Sequence, residues 1–331
     1  MITVVAEAGV NHNGDIKRAE AMIAAAAQAG ADVVKFQAFS SAELVAQGTA
    51  TAGYQRSNTG ESDQAALLKR LELGAADFTR LGRICRDHRI EFLCTAFDVS
   101  MLSGLIDAGM RRIKIPSGEL TNTVMLRQVA GLHLPVILST GMGTLEEVRR
   151  ALAVLQDAGA GAVTILHCTS LYPAPDEAIN LRAMVTMRET FGRPVGYSDH
   201  SMDDHIAIAA VALGAVMIEK HFTLDRNLPG PDHKASLEPA ELAAMIRRIR
   251  AVERALGDGI KRPASGEVET AKLVRRSWHA ARRLDAGAVL GTGDVVLKRP
   301  AHGLAPDVNL IGRTLKIAHE ADEPIGINDL A

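Results

Sequence analysis

Eight short runs of β-branched and aliphatic residues recur over the first two thirds of the chain, most followed by an amphipathic helical pattern. They cover 3–9, 32–39, 90–97, 111–119, 135–141, 163–168, 194–200 and 216–222. Strand alternating with helix predicts βαβ units and a parallel sheet. The runs are nearly continuous in apolar residues, as expected of strands buried on both faces. Representative helices are 16–29, 75–88, 145–158 and 239–256. Gly30, Gly109, Gly159 and Gly214 each close a helical pattern just before a strand, where a left-handed cap belongs. Eight such units in about 250 residues predict a (β/α)8 barrel. The alternative is an open doubly wound sheet. No G-x-G-x-x-G follows the first run, so nothing favours a dinucleotide fold.

The 331 residues allow a barrel and a small appendage. We place the barrel at 1–256, a Gly-, Pro- and Ser-rich linker at 257–271, and a small β-rich domain at 272–331. The last contains the strand-like pieces WHAARRL, GAVLGTGDVVLKRP and GRTLKIAH, with Trp278 as a core residue. Lys plus Arg is 37 against 39 for Asp plus Glu, a balance unlike the basic surplus of a nucleic-acid binder. Cys85, Cys94 and Cys168 are widely spaced and odd in number, so no disulfide framework is expected and a reducing cytoplasm fits. The longest apolar run, 206–218, falls short of the roughly 18 residues that span a bilayer. No membrane segment or signal peptide is expected.

Barrel active sites sit at the C-terminal ends of the strands. The first run brings Glu7 there, followed by Asn11, His12 and Asn13; the second Lys35 and Gln37; the third Thr95. The fourth brings Lys114, Ser117 and Glu119; the fifth Ser139 and Thr140; the sixth His167, Thr169, Ser170 and Tyr172. The seventh ends in Ser198, Asp199 and His200, and the eighth carries Glu219, Lys220 and His221. Polar chemistry at all eight ends predicts one shared site. Lys35 and Lys114 interrupt apolar strands. Either their stems snorkel to water, or with Ser117, Ser139 and Ser198 they bind a phosphate and a carboxylate. His200 and His221 end neighbouring strands and either pack or hydrogen-bond as ordinary imidazoles or share a divalent ion that Glu7 or ligand oxygens complete, with open positions left. Glu7 and Glu119 suit proton transfer or polyol binding, or salt bridges to the two lysines. The loop 229–236 presents Asp232, His233 and Lys234 at the rim, and a long excursion at 40–74 carries Tyr54, Gln55, Arg56, Asn58 and Thr59 at the catalytic face. Cys94 and Cys168 read as core residues.

The motifs AEAGVNHNG, KIPSGE, ILSTGM, LHCTSLYPAP, GYSDH, EKHFTLDRNLPGPDHKASLEP and KRP, in this order, resemble the sialic acid synthase family. That family includes N-acetylneuraminate, N,N'-diacetyllegionaminate and pseudaminate synthases, and ends in an antifreeze-like (SAF) domain. Pro116, the run 54–58 and the run 232–239 look closer to the legionaminate type. The resemblance implies condensation of phosphoenolpyruvate with the open-chain aldehyde of an N-acetylmannosamine-type sugar. It implies Mn²⁺ (or Mg²⁺ or Co²⁺) on His200 and His221. Lys35, Thr95, Lys114, Ser117, Ser139 and Ser198 then contact phosphoenolpyruvate, with Glu7 as acid/base. Gln37, Glu119, Ser170, Tyr172 and Asp232 form the sugar-binding set. Arg299 would enter the partner's barrel in a domain-swapped homodimer. Two other readings of the residues are a Schiff-base pyruvate aldolase, for which the sixth run offers His167 and Cys168 rather than a lysine, and a non-catalytic glycan-binding protein.

Overall fold

In the computed structural model, which describes residues 1–331, the eight runs close into one parallel barrel in sequential order. The strands are β1 (Thr3–Gly9), β2 (Val33–Ala38), β3 (Glu91–Ala96), β4 (Ile113–Ile115), β5 (Val136–Ser139), β6 (Val163–Cys168), β7 (Val195–Asp199) and β8 (Met217–His221), and β8 pairs with β1. The open-sheet alternative is excluded. β4 is shorter than the expected 111–119. Pro116 has no amide to donate, and Ser117–Glu119 turns into a 3-10 helix instead.

The helices are α1 (Ile16–Ala29), α2 (Ser41–Leu44), α3 (Gly53–Thr59), α4 (Gln64–Leu71), α5 (Ala75–Asp87), α6 (Leu102–Asp107), α7 (Thr123–Ala130), α8 (Leu145–Asp157), α9 (Arg182–Phe191), α10 (His205–Ala212) and α11 (Pro239–Leu256) in the barrel unit, with α12 (Ser265–Val274) beyond it. Local chemistry explains their limits. Asp15 caps α1, and Thr144 and Glu147 form a reciprocal capping box on α8. Gly30, Gly109, Gly159 and Gly214 have φ of 88°, 115°, 82° and 92°, the left-handed caps expected before strands. α1 buries Ala19, Met22, Ile23 and Ala26, a helical stripe against the barrel. The 40–74 excursion holds α2, α3 and α4, and its small core joins Val10, Phe39, Leu67 and Leu71.

Register decides which side chains enter the barrel. Glu7 aligns with Lys35 on one side and His221 on the other; Gln37 aligns with Thr95, Thr95 with Lys114, and Ser198 with Glu219. Aligned residues of neighbouring strands face the same way and alternate along each strand. This set therefore points inward, and Phe36, Cys94, His167, Tyr197, Asp199 and Lys220 point outward.

The chain divides after Gly257 into two units. The expected linker 257–271 is only partly irregular, because α12 begins at Ser265. There Ser265 and Gly266 occupy the first turn, where they are tolerated, and Glu267 accepts from the Ala264 amide at 2.7 Å. The second unit pairs β9 (Ser277–Ala280) with β10 (Val295–Lys298) in antiparallel fashion. The piece GRTLKIAH forms no full strand; it contributes single bridges, among them His319 with Leu284 and Thr314 with Val289. This unit's core holds Ala280, Leu284, Leu290, Leu310 and Ile325. Trp278 packs against it and donates from Nε1 to Val308 O at 2.9 Å.

Candidate active site

The floor of the barrel mouth is an ionic cluster. Lys35 Nζ lies 2.8 Å from Glu7 Oε2, donates to Thr95 Oγ1 at 2.9 Å, and stands 3.7 Å from Glu219 Oε2. Lys114 Nζ donates to both oxygens of Glu219, at 2.9 and 3.1 Å. Ser198 Oγ donates to Glu219 Oε1 at 2.9 Å, and Gln37 Nε2 to Glu7 Oε1 at 3.2 Å. Glu7, Lys35, Lys114 and Glu219 are each no more than 4% exposed. The snorkelling reading of the lysines therefore fails: their ammonium groups point into the protein. Burial lifts the Glu7 carboxyl above its ordinary range against the pull of Lys35. Burial would raise Glu219 too, but Lys114 and Lys35 hold it down at about 2. Burial pulls Lys114 below the usual lysine range, whereas for Lys35 the two carboxylates outweigh burial and raise it.

Beside this floor stands a wall of rings. The His200 and His221 centroids are 5.5 Å apart. His200 Nδ1 donates to Thr169 O at 2.6 Å, which leaves its Nε2 lone pair free. His221 Nδ1 is buried without a partner. Burial keeps both imidazoles neutral, His200 pushed down to about 4 and His221 well below its ordinary value. Tyr172 packs 4.2 Å from the His200 ring, and Tyr54 of α3 stacks on Tyr172 at 5.2 Å. Asn58, also on α3, donates to Pro231 O at 2.7 Å, so the excursion is tied to the loop that follows β8. That loop buries Asp232, whose carboxyl is pushed up to about 7 by burial and then by the charge of Glu7. His233 is buried against Thr223 Oγ1 at 2.7 Å and serves the loop, while Lys234 is exposed.

The hydroxyls complete the mouth. Ser139 Oγ is buried with no partner, and Ser117 Oγ and Ser170 Oγ are 3.4 Å apart. Gly141 passes between them at φ 42°; a Cβ there would stand 2.4 Å from Ser117 Cβ. Glu119 does not join the ionic floor. It is half-buried on the 3-10 turn and accepts from Asn122 Nδ2 at 2.7 Å. Arg299 is exposed just beyond β10.

Three residues expected at the mouth face outward instead, because strand alternation turns them toward the helices. His167 Nε2 bonds Ile179 O at 2.7 Å. Lys220 and Asp199 pair at 2.9 Å outside the barrel. Cys94 and Cys168 are buried free thiols, raised by burial; Cys94 packs in the core as expected, whereas Cys168 aligns with Ser198, points inward and accepts from the Gly141 amide at 3.2 Å. Two contributors were placed at the catalytic face by the sequence but given no role there. Glu219 carries a legible signal: it lies two residues before His221, on the same face, and interrupts an apolar strand as Lys35 and Lys114 do. Tyr54 has no such signal, since only the fold of the excursion brings it to Tyr172.

A closed parallel barrel whose strand ends bury two lysines, two carboxylates and two neutral imidazoles has the architecture of a barrel enzyme. The chain belongs to the NeuB family, whose family model matches residues 22–261. It is 44% identical over 305 residues to N,N'-diacetyllegionaminic acid synthase of Campylobacter jejuni, with 91% of each chain covered. The synthase of the same name from Legionella pneumophila is 43% identical over 321 residues, 95% of this chain and 90% of that one. Among solved structures, an N-acetylneuraminic acid synthetase from Leptospira borgpetersenii superimposes with a TM-score of 0.73 at 36% identity, over 81% of this chain and 90% of that one.

Proposed function

We propose that this chain condenses phosphoenolpyruvate with the aldehyde of an N-acetylated mannosamine-type sugar, consuming water and releasing phosphate, to give a nine-carbon nonulosonate. The single observation that carries the reading is the floor of the barrel. Two buried ammonium groups converge there with Thr95, Ser139 and Ser198, a set of donors suited to a small phosphorylated carboxylate. The two relatives named for N,N'-diacetyllegionaminic acid favour the 2,4-diacetamido-2,4,6-trideoxymannose substrate over N-acetylmannosamine.

The donor's methylene carbon attacks the aldehyde carbon, and the aldehyde oxygen takes up a proton. Water then adds to the resulting cationic C2, and phosphate departs. Lys35 and Lys114, with Thr95, Ser117, Ser139 and Ser198, bind and orient the donor. Glu7 lies against Lys35 and takes the proton of the attacking water. Gln37, Glu119, Ser170, Tyr172 and Asp232 serve the sugar. His200 and His221 fit a divalent ion, Mn²⁺ with Mg²⁺ or Co²⁺ as alternatives. Both are neutral, His200 is oriented by the Thr169 carbonyl, and His221 keeps a buried nitrogen without a partner. No third His, Cys, Asp or Glu joins them, which leaves coordination positions open. Such an ion would supply Lewis-acid polarisation of the aldehyde oxygen.

Exposed Val124 in the first turn of α7, and Met142, Leu171 and Met202 on the loops after β5, β6 and β7, support a lid supplied by the C-terminal unit of a second copy, carrying Arg299, in a domain-swapped homodimer. Three free thiols support a reducing cytoplasm, and no helix is long and apolar enough to cross a membrane.

The test is phosphate release. It should require phosphoenolpyruvate and an amino-mannose, and run faster with the diacetamido trideoxy sugar than with N-acetylmannosamine. His221→Ala should fold, lose turnover and lose the thermal stabilisation that Mn²⁺ gives the parent protein. Borohydride trapping of pyruvate on a lysine, without phosphate release, would replace this reading with a Schiff-base aldolase.

A further inference from the structure

Glu219 occupies a singular place in the floor. It is the only carboxylate paired with Lys114, it stands 3.7 Å from Lys35, and it accepts a hydrogen bond from the Ser198 hydroxyl. Glu7, by contrast, pairs with Lys35 alone. The three groups gathered by Glu219 are ones that the reading above gives to phosphoenolpyruvate. We propose that Glu219 is a positioning residue that stands in for the substrate anion. It holds the two ammonium groups and the Ser198 hydroxyl in place when the site is empty, and its charge opposes retention of the donor and of the phosphate that leaves.

The hydrogen-bond inventory supports a stand-in rather than a permanent structural pair. An ammonium group has three N–H donors. Those of Lys114 reach only the two oxygens of Glu219, so one donor has no protein acceptor. Ser198 spends its one proton on Glu219, and Ser139 Oγ nearby has no partner at all. An arriving anion therefore finds unfilled donors and an internal competitor for the filled ones. Two buried cations facing Glu7 alone would carry an uncompensated charge, which is costly at this depth. The same excess would hold inorganic phosphate after the reaction. Glu219 offsets it, so the empty floor balances two positive charges with two negative ones.

The inference rests on the proposed reaction, and calorimetry on the full-length protein separates the two. Titrations with phosphoenolpyruvate and with inorganic phosphate would compare the parent with Glu219→Gln and Glu219→Asp, alongside kcat and KM. Glu219→Gln should bind both anions at least fivefold more tightly, be more strongly inhibited by phosphate, and lose at least tenfold in kcat as Lys114 loses its orienting partner. Glu219→Asp keeps the charge but draws it back from Lys114. It should fall between the parent and Glu219→Gln in anion affinity, and it carries the test if Glu219→Gln fails to melt cooperatively. Anion binding equal to or weaker than the parent's in the folded variants would make Glu219 a plain structural partner and overturn the inference alone. A parent protein that binds neither anion would overturn the reaction as well.

Discussion

Lys220 and Lys114 are both buried lysines on barrel strands, each 2.9 Å from a carboxylate oxygen, yet they lie on opposite sides of the sheet. Lys220, outside, donates to Asp199 Oδ2 and also to Ser201 O at 2.6 Å and Asp203 O at 2.8 Å. Its three donors are filled by one turn of chain, and the turn that follows His200 is held in place. Lys114, inside, meets Glu219 alone. Burial of a charge is costly unless its partners are complete. The complete set reads as structure, and the incomplete one as a site waiting for a ligand.

Removing each lysine is the sharpest way to break this contrast. Lys114→Ala should lower kcat/KM for phosphoenolpyruvate by about a thousandfold, the order expected when a preorganised charge in a water-poor site is lost. Circular dichroism should show an intact fold, and equal loss of fold and activity would erase the distinction. Lys220→Met should do the reverse. It leaves the buried Asp199 carboxylate with its Ser201 hydrogen bonds but no cation, and should cost about 3–5 kcal/mol of barrel stability, read by urea unfolding. Turnover per folded molecule should suffer less than in Lys114→Ala.

Asp232 extends the contrast to the rim. Its folded carboxyl titrates at about 7, above the ordinary 3.8, so its contribution to stability is full below pH 4 and is lost as pH rises through 7. Asp232→Asn should lack this loss, and its stability advantage over the parent should grow between pH 4 and pH 8 in denaturant titrations. An unchanged difference across that range would contradict the placement of this acid. The smallest effect is expected from Tyr54→Ala. It removes the ring stacked on Tyr172 and should raise the sugar KM by about tenfold, a loss of roughly 1.4 kcal/mol, while leaving the phosphoenolpyruvate KM unchanged.

The inward set Glu7, Lys35, Gln37, Thr95, Lys114, Ser198 and His221 was legible because strand alternation and an apolar background leave few reasons for such residues in a barrel strand. His167, Asp199 and Lys220 were misplaced for a related reason. A strand end identifies the level along the barrel but not the side, and one residue of offset exchanges interior for exterior. Glu119 was grouped with Glu7 from its place after β4, whereas Pro116 ends that strand and the following turn delivers its carboxylate to Asn122.

The sequence by itself determined the barrel and the ends of its helices, because periodicity, capping residues and helix-ending glycines act over a few neighbouring positions. Only the tertiary structure decided which charges meet. Lys114 and Glu219 are 105 positions apart, and Tyr54 reaches Tyr172 only through the folded excursion. Pairings of that range depend on strand register and barrel closure, which no local run of residues encodes.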